Sequence, residues 1–141
     1  MVQQEHQRRL VVDYRIDLYM NFFYFKAQVR HQNFTECIRS LNYIDTFNKE
    51  DIIVQMSRCS FDIHVQEIFG TWMLGATLIM LHPEGTIDFD YLSQVLDKKQ
   101  ISYMHTVPSL IHRFFTFLQA NNIKNVLKSL RSLCSIGKCR S

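Results

Sequence analysis

The chain contains 141 residues, of which 47% are hydrophobic and 21% are charged, a balance typical of a folded domain and not of a disordered segment. Its formal net charge of +3, from 16 basic and 13 acidic residues, is too small to indicate a partner such as nucleic acid. No stretch reaches the roughly 18 apolar residues of a membrane-spanning helix, and no secretory signal is visible, so we expect no membrane partner.

The first 33 residues show no regular periodicity, and their compact apolar run at Tyr19–Phe25 fits either a strand or a short helix. The four cysteines form no CxxC pair, which predicts reduced thiols in a cytoplasmic protein. From Phe34 onward the pattern becomes orderly, and Phe34, Ile38 and Leu41 recur at helical spacing. We therefore expect an irregular segment over residues 1–33 and a folded domain over residues 34–141.

A short β-branched run at Asp51–Ser57 predicts a buried strand. The helix that follows has Asp62 at the position of an N-cap and Gly75 at the position of a left-handed stop. Its apolar residues recur every three or four positions and predict one buried face. These residues are Phe61, Val65, Ile68, Phe69 and Trp72.

The alternation of strands and helices continues to the end of the chain. "ATLIML" predicts a second buried strand, and a helix capped by Asp88 follows it. "ISYMHTV" predicts a third strand, Pro108 opens the next helix, and "LRSLCSIG" predicts a fourth strand. This order predicts an α/β fold, in which a parallel sheet is covered by helices.

Ligands of such sheets bind at the carboxyl ends of the strands. That rule selects four segments, Ser57–Asp62, Leu81–Gly85, His105–Pro108 and Cys134–Lys138. At the first of them, Asp62 fits either a helix cap or a carboxylate that binds an ammonium group, and one carboxylate can partly serve both.

Other chemistry-bearing side chains have weaker patterns. His64 and Glu67 share a helix face, but no metal-ligand spacing accompanies them, so we predict no metal site and a surface or cap-stabilising role for Glu67. A nucleophilic pair of Cys134 or Cys139 with His105 lacks local support, because a buried cysteine usually packs.

Three segments together resemble the adenylation domain of nonribosomal peptide synthetases, within the adenylate-forming, AMP-binding superfamily. They are "FDIHVQEIFGTWMLGATLIML", "ISYMHTVPSLIHRF" and "LRSLCSIGKC", and they stand in the family's order. The resemblance covers about Phe34 to Gly137 and implies a fold like part of the N-terminal lobe of such an enzyme.

The resemblance implies an enzyme that uses ATP and Mg²⁺ to activate an amino acid as its adenylate, before the acyl group passes to a carrier-protein thiol. It assigns Asp62 to the carboxylate that binds the substrate's α-ammonium. It places further pocket residues by register. These are Ile63, Gln66, His105, Cys134 and Ile136, with Gly137 next to the nucleotide. Gln66 and His105 would make the pocket polar, which indicates a hydrogen-bonding substrate side chain.

The sequence also departs from the family's pattern. "FYFKAQVRHQNF" stands where the family has a glycine-rich phosphate loop, and without glycines no backbone cradle for phosphates forms. Lys138 replaces an acidic residue, and the family's ribose-binding and C-terminal catalytic segments have no counterpart. We therefore expect a fragment of an adenylation domain within a larger synthetase, inactive alone. The alternatives are an inactive stand-alone relative and an unrelated α/β module that binds a small ligand or a protein.

Overall fold

A computed structural model describes residues 16–18 and 27–135, with side chains from Arg30 to Ser135. The apolar run at Tyr19–Phe25 and the predicted site residues Ile136 and Gly137 lie outside these residues. Strands β1 (Ile16–Leu18) and β2 (Ala27–Val29) pair antiparallel, with Ile16 opposite Val29.

A parallel sheet of four strands forms the centre of the fold, in the order β4-β3-β5-β6. Its strands are β3 (Ile52–Val54), β4 (Thr77–Ile79), β5 (Tyr103–Thr106) and β6 (Ser132–Ser135). The helical elements are α1 (His31–Tyr43), α2 (Asp62–Val65), a π-helical turn (Gln66–Gly70), α3 (Thr71–Leu74), α4 (Phe89–Lys98) and α5 (Pro108–Ala120). The predicted α/β architecture is confirmed. No helix in the described part of the chain is long and apolar enough to cross a membrane.

Three helix ends follow the predicted signals. The Asp88 side chain accepts a hydrogen bond of 3.0 Å from the backbone amide of Tyr91 and caps α4. Pro108 is the first residue of α5, where its missing N–H has no helical partner to lose. Gly75 ends α3 with a φ of 74°, a left-handed conformation that glycine adopts without a steric penalty.

The sheet carries a separate apolar core on each face. Met104 of β5 belongs to the core that also contains Leu92 of α4 and Phe114 of α5. The neighbouring Tyr103 belongs to the opposite core, with Ile38 of α1. Successive strand residues point to opposite faces, so His105 lies on the same face as Tyr103.

The helical segment over residues 62–74 buries a different face from the one predicted. Its buried residues are Glu67, Gly70 and Thr71, whereas Phe69 is exposed and the Trp72 side chain is 67% exposed. Phe61, at the start of the predicted face, is also exposed. Past Gln66 the prediction was wrong because the π-helical turn adds a residue to one turn, so the spacing counted from the start of the helix does not continue.

Close packing then favours glycine on the buried side of this segment. A Cβ atom at Gly70 would lie 2.8 Å from Phe47 and 2.9 Å from Ile38, so only glycine lets the helix approach α1 this closely.

Strand β4 also differs from its predicted burial. It lies at an edge of the sheet, with Thr77 exposed and Leu78 and Ile79 half-buried.

Candidate functional site

The candidate site lies where the carboxyl ends of β3, β5 and β6 meet the start of α2. Strands β5 and β6 run in register, so His105 is opposite Cys134 and Thr106 is opposite Ser135. A loop leads from the end of β3 to Asp62, the first residue of α2. Polar side chains from two strand ends and one helix start therefore share one edge of the sheet, where parallel sheets bind their ligands.

Asp62 is exposed and lies in the first turn of α2. Phe61 occupies the N-cap position instead, and no side chain caps this helix, which corrects the predicted capping role of Asp62. One carboxylate oxygen accepts a hydrogen bond of 2.9 Å from the amide of Ile63. The other oxygen has no partner among the described residues, so Asp62 can bind a cation while it complements the helix dipole.

His105 is buried, with 4% of its surface exposed, and neither ring nitrogen has a hydrogen-bond partner among the described residues. Burial lowers the pKa of His105 below its ordinary value, and the negative charge of Asp62 opposes this effect. The imidazole is therefore neutral at pH 7, with one donor and one acceptor to offer. A buried polar group without a partner is costly, so a ligand that completes these hydrogen bonds would be stabilised there.

Gln66 faces β5 from the π-helical turn. Its side-chain nitrogen donates a hydrogen bond of 3.3 Å to the hydroxyl of Tyr103. The Tyr103 ring is 1% exposed and stacks on Phe47, with ring centroids 4.8 Å apart. The stacked ring is fixed by its packing, and its hydroxyl holds the Gln66 side chain against the strand.

The remaining predicted residues that the structure describes are Ile63 and Cys134, and both are half-buried. Cys134 packs against the core that contains Tyr103. Although Cys134 lies opposite His105 across the two strands, the imidazole forms no hydrogen bond to the thiol, so these residues do not form a nucleophile–base pair in this arrangement.

Glu67 is not the surface charge that its sequence position predicted. It is 1% exposed, and its carboxylate accepts hydrogen bonds of 3.1 Å from the amides of both Met56 and Ser57. Burial raises the pKa of Glu67 to about 7, although these hydrogen bonds favour the ionised form. Glu67 therefore fastens the helix to the end of β3 and supports the loop that leads to Asp62.

His64 contributes to the same attachment. Its Nδ1 atom lies 2.8 Å from Nε2 of Gln55 and 3.2 Å from the carbonyl oxygen of Ser57. No group of three or more side chains able to hold a metal ion occurs in the part of the chain that the structure describes. His64 and Glu67 thus bind the loop that follows β3.

Sequence reasoning missed Tyr103 and the buried role of Glu67. Tyr103 stood inside an apolar strand pattern, and a tyrosine there ordinarily signals packing alone. The one available signal was that a buried tyrosine hydroxyl needs a hydrogen-bond partner. Gln66 is that partner. Glu67 gave no such signal, because its partners are backbone amides.

A comparison with protein families matches residues 27–139 to the model of the AMP-binding enzyme family. Among curated proteins, vanchrobactin synthetase VabF of Vibrio anguillarum is 32% identical over 94 residues, which are 67% of this chain and 3% of that protein. Bacitracin synthase 1 of Bacillus licheniformis is 32% identical over 84 residues, which are 60% of this chain and 2% of that protein. The chain thus corresponds to a small part of each of these relatives.

Solved structures support the same fold. The nonribosomal peptide synthetase FmoA3 superimposes with a TM-score of 0.69 at 20% identity, covering 79% of this chain and 12% of that one. The Vibrio cholerae adenylation domain AlmE, solved with glycyl-adenosine-5'-phosphate, superimposes with a TM-score of 0.60 at 23% identity, covering 74% of this chain and 19% of that one.

Proposed function

Because the chain belongs to the family of AMP-binding enzymes, we propose that its described residues form the amino-acid-binding part of an adenylation site. One observation carries the proposal. Asp62 keeps an oxygen free at the start of α2, and its charge acts on the buried imidazole of His105. An amino acid has an ammonium group that needs a countercharge and a side chain that needs a partly buried pocket, and this pair offers both.

In this proposal Asp62 binds the α-ammonium of the substrate, as an exposed carboxylate at the mouth of the pocket. Ile63, Gln66, His105 and Cys134 contact the substrate side chain. Ile136 and Gly137 are proposed by register alone, as a further pocket residue and a neighbour of the nucleotide. The name of FmoA3, a nonribosomal peptide synthetase, and the glycyl-adenosine-5'-phosphate bound to AlmE support an amino acid as the substrate.

ATP and Mg²⁺ belong to the proposed reaction of a complete enzyme of this family. The residues present do not fit the phosphates, because each glycine in the described part of the chain has another use. Gly70 and Gly85 lie in close packing, and Gly75 ends a helix. Since no glycine-rich cradle occurs there, we propose no step of ATP chemistry for the described residues and assign them substrate binding.

A carrier-protein thiol and the rest of a larger synthetase are the proposed partners, in the cytoplasm. The segment over residues 62–74 supports such an assembly, because three large apolar side chains are exposed on it. They are Phe69, Trp72 and Met73. Phe69 and Trp72 pack edge to face, with ring centroids 5.3 Å apart, and so form a continuous apolar surface.

Titration of the purified chain with amino acids, followed by NMR, tests the proposed function. Binding should require the ammonium group, so an N-acetylated amino acid should not bind. Asp62→Asn keeps the size of the side chain and removes its charge, and we expect it to weaken binding about tenfold or more. Asp90→Asn, in α4 on the opposite face of the sheet, is the matched control. Equal affinity of wild type and Asp62→Asn would exclude the proposed role of Asp62.

A further inference from the structure

Tyr103 connects the two sides of the candidate pocket. It lies two residues before His105 on β5, on the same face of the sheet. Its hydroxyl receives the hydrogen bond from Gln66 on the helical side, and Cys134 of β6 packs against its core. Gln66 is thus bound to the strand that carries His105.

The Tyr103 ring also fills the space beneath these residues. It is 1% exposed and is held in place by the stacked ring of Phe47. The ring and its hydroxyl are therefore a fixed boundary of the space between the helix and the sheet.

The groups left around that space are polar and uncharged. Both ring nitrogens of His105 and the side-chain oxygen of Gln66 lack partners among the described residues. The carboxylate of Glu67 is engaged by the amides of Met56 and Ser57. A charged substrate side chain would find no free countercharge here beyond Asp62, which the α-ammonium uses, so burial of a second charge would be unfavourable.

We propose that Tyr103 is a positioning residue that holds Gln66 beside His105, and that together they select an amino acid with an uncharged hydroxyl or carboxamide side chain. Such a group both donates and accepts hydrogen bonds, as a neutral imidazole and an amide require. The inference rests on the proposed function, because it specifies the substrate of the same pocket.

The test compares the dissociation constants of the purified chain for L-serine and L-asparagine with those for L-alanine and L-2-aminobutyrate. L-aspartate and L-lysine serve as charged probes. We expect wild type to favour serine or asparagine over the apolar pair by about tenfold or more, because a site built for a hydroxyl rejects an analogue that lacks it. The preference is a ratio, so a general loss of folded protein does not change it.

Tyr103→Phe keeps the stacked ring and removes the hydroxyl that holds Gln66. We expect it to reduce the polar-over-apolar ratio about threefold to tenfold, as for one neutral hydrogen bond. Tyr91→Phe, in α4 where the ring packs against His82, is the matched control and should leave the ratio unchanged. If Tyr103→Phe does not fold, Gln66→Leu is measured instead, at a half-buried position, and an unchanged ratio in this variant overturns the inference.

The outcomes separate this inference from the proposed function. A wild type that favours apolar or charged amino acids overturns the inference and leaves amino-acid binding intact. An unchanged ratio in folded Tyr103→Phe overturns the role of Tyr103. If no amino acid binds to the folded chain, the proposed function fails and the inference fails with it.

Discussion

The carboxylate of Glu67 binds Ser57 twice, through the backbone amide at 3.1 Å and the side-chain hydroxyl at 3.4 Å. Ser57 follows β3, and Glu67 lies in the π-helical turn ten residues further on. The amide of Met56 adds a third hydrogen bond to the same carboxylate. One buried acid therefore holds both ends of the loop that positions Asp62.

Protonation of Glu67 should make the stability of the fold depend on pH. Its pKa is about 7 in the folded chain and 4.5 ordinarily, so between these values the folded state binds more protons than the unfolded state. The contribution of Glu67 is therefore most favourable below pH 4.5 and falls by about 3 kcal/mol as pH rises to 7. Glu67→Gln does not titrate, so the difference in unfolding free energy between wild type and variant should follow this fall.

Urea denaturation at a series of pH values from 5 to 8 measures that difference. Glu84→Gln, at an exposed carboxylate, controls for the loss of one negative charge. A difference between wild type and Glu67→Gln that does not change over this range would show that burial does not raise the pKa of Glu67.

Gly70→Ala should destabilise the fold by overpacking. The added methyl would lie 2.8 Å from Phe47 and 2.9 Å from Ile38, so one of these buried side chains must move at a cost of about 1–3 kcal/mol. Gly75→Ala is the matched control, since its methyl meets no atom within 4 Å and its cost of about 1 kcal/mol comes from the positive φ alone. Urea denaturation gives both values, and ring signals of Phe47 and Tyr103 should shift only in Gly70→Ala.

The fold class could be predicted because its signals are local. The β-branched run around Ile52–Val54, the Asp88 cap and Pro108 each determine their own element, and their order implies a parallel sheet. The buried face of residues 62–74 could not be predicted, because one π-helical turn changes the spacing without any residue type that marks it.

The site was predictable to the extent that parallel strands end at a common edge. That rule places His105 beside Cys134 at the ends of their strands, as the register of β5 and β6 has it. The partners of Gln66 and Glu67 were not predictable, because they depend on how closely the helix packs on the sheet. Tyr103 is 37 residues from Gln66 in the chain, and no periodicity connects them.

Asp51→Ala should be among the more destabilising single substitutions in the chain. The Asp51 carboxylate is 2% exposed and accepts hydrogen bonds of 2.6 Å from both Arg131 and Ser102, and of 2.8 Å from the amide of Asn48. Its removal leaves these donors without this acceptor. The segments that carry Asn48, Ser102 and Arg131 then lose a shared attachment point. We expect a loss of about 2–4 kcal/mol, measured by urea denaturation.

Glu36→Ala gives the scale for an ion pair without burial. The Nη1 atom of Arg39 lies 2.7 Å from Oε1 of Glu36 in α1, but both side chains are mostly exposed. We expect the loss to be about 0.5 kcal/mol or less. Equal costs for the two substitutions would mean that burial adds nothing to the Asp51 network.

Asp62→Asn should lower the pKa of His105 further below its ordinary value. The carboxylate favours the imidazolium form, while burial favours the neutral form, so removal of the negative charge leaves burial unopposed. Side-chain NMR of His105 over a pH series measures the change, and Asp90→Asn controls for a charge lost on the opposite face of the sheet. Because the imidazole is already neutral at pH 7, Asp62→Asn should not alter its hydrogen-bonding groups there. A loss of amino-acid binding at pH 7 in this variant would then come from the missing ammonium partner. An unchanged His105 pKa would show instead that Asp62 and His105 do not share one pocket.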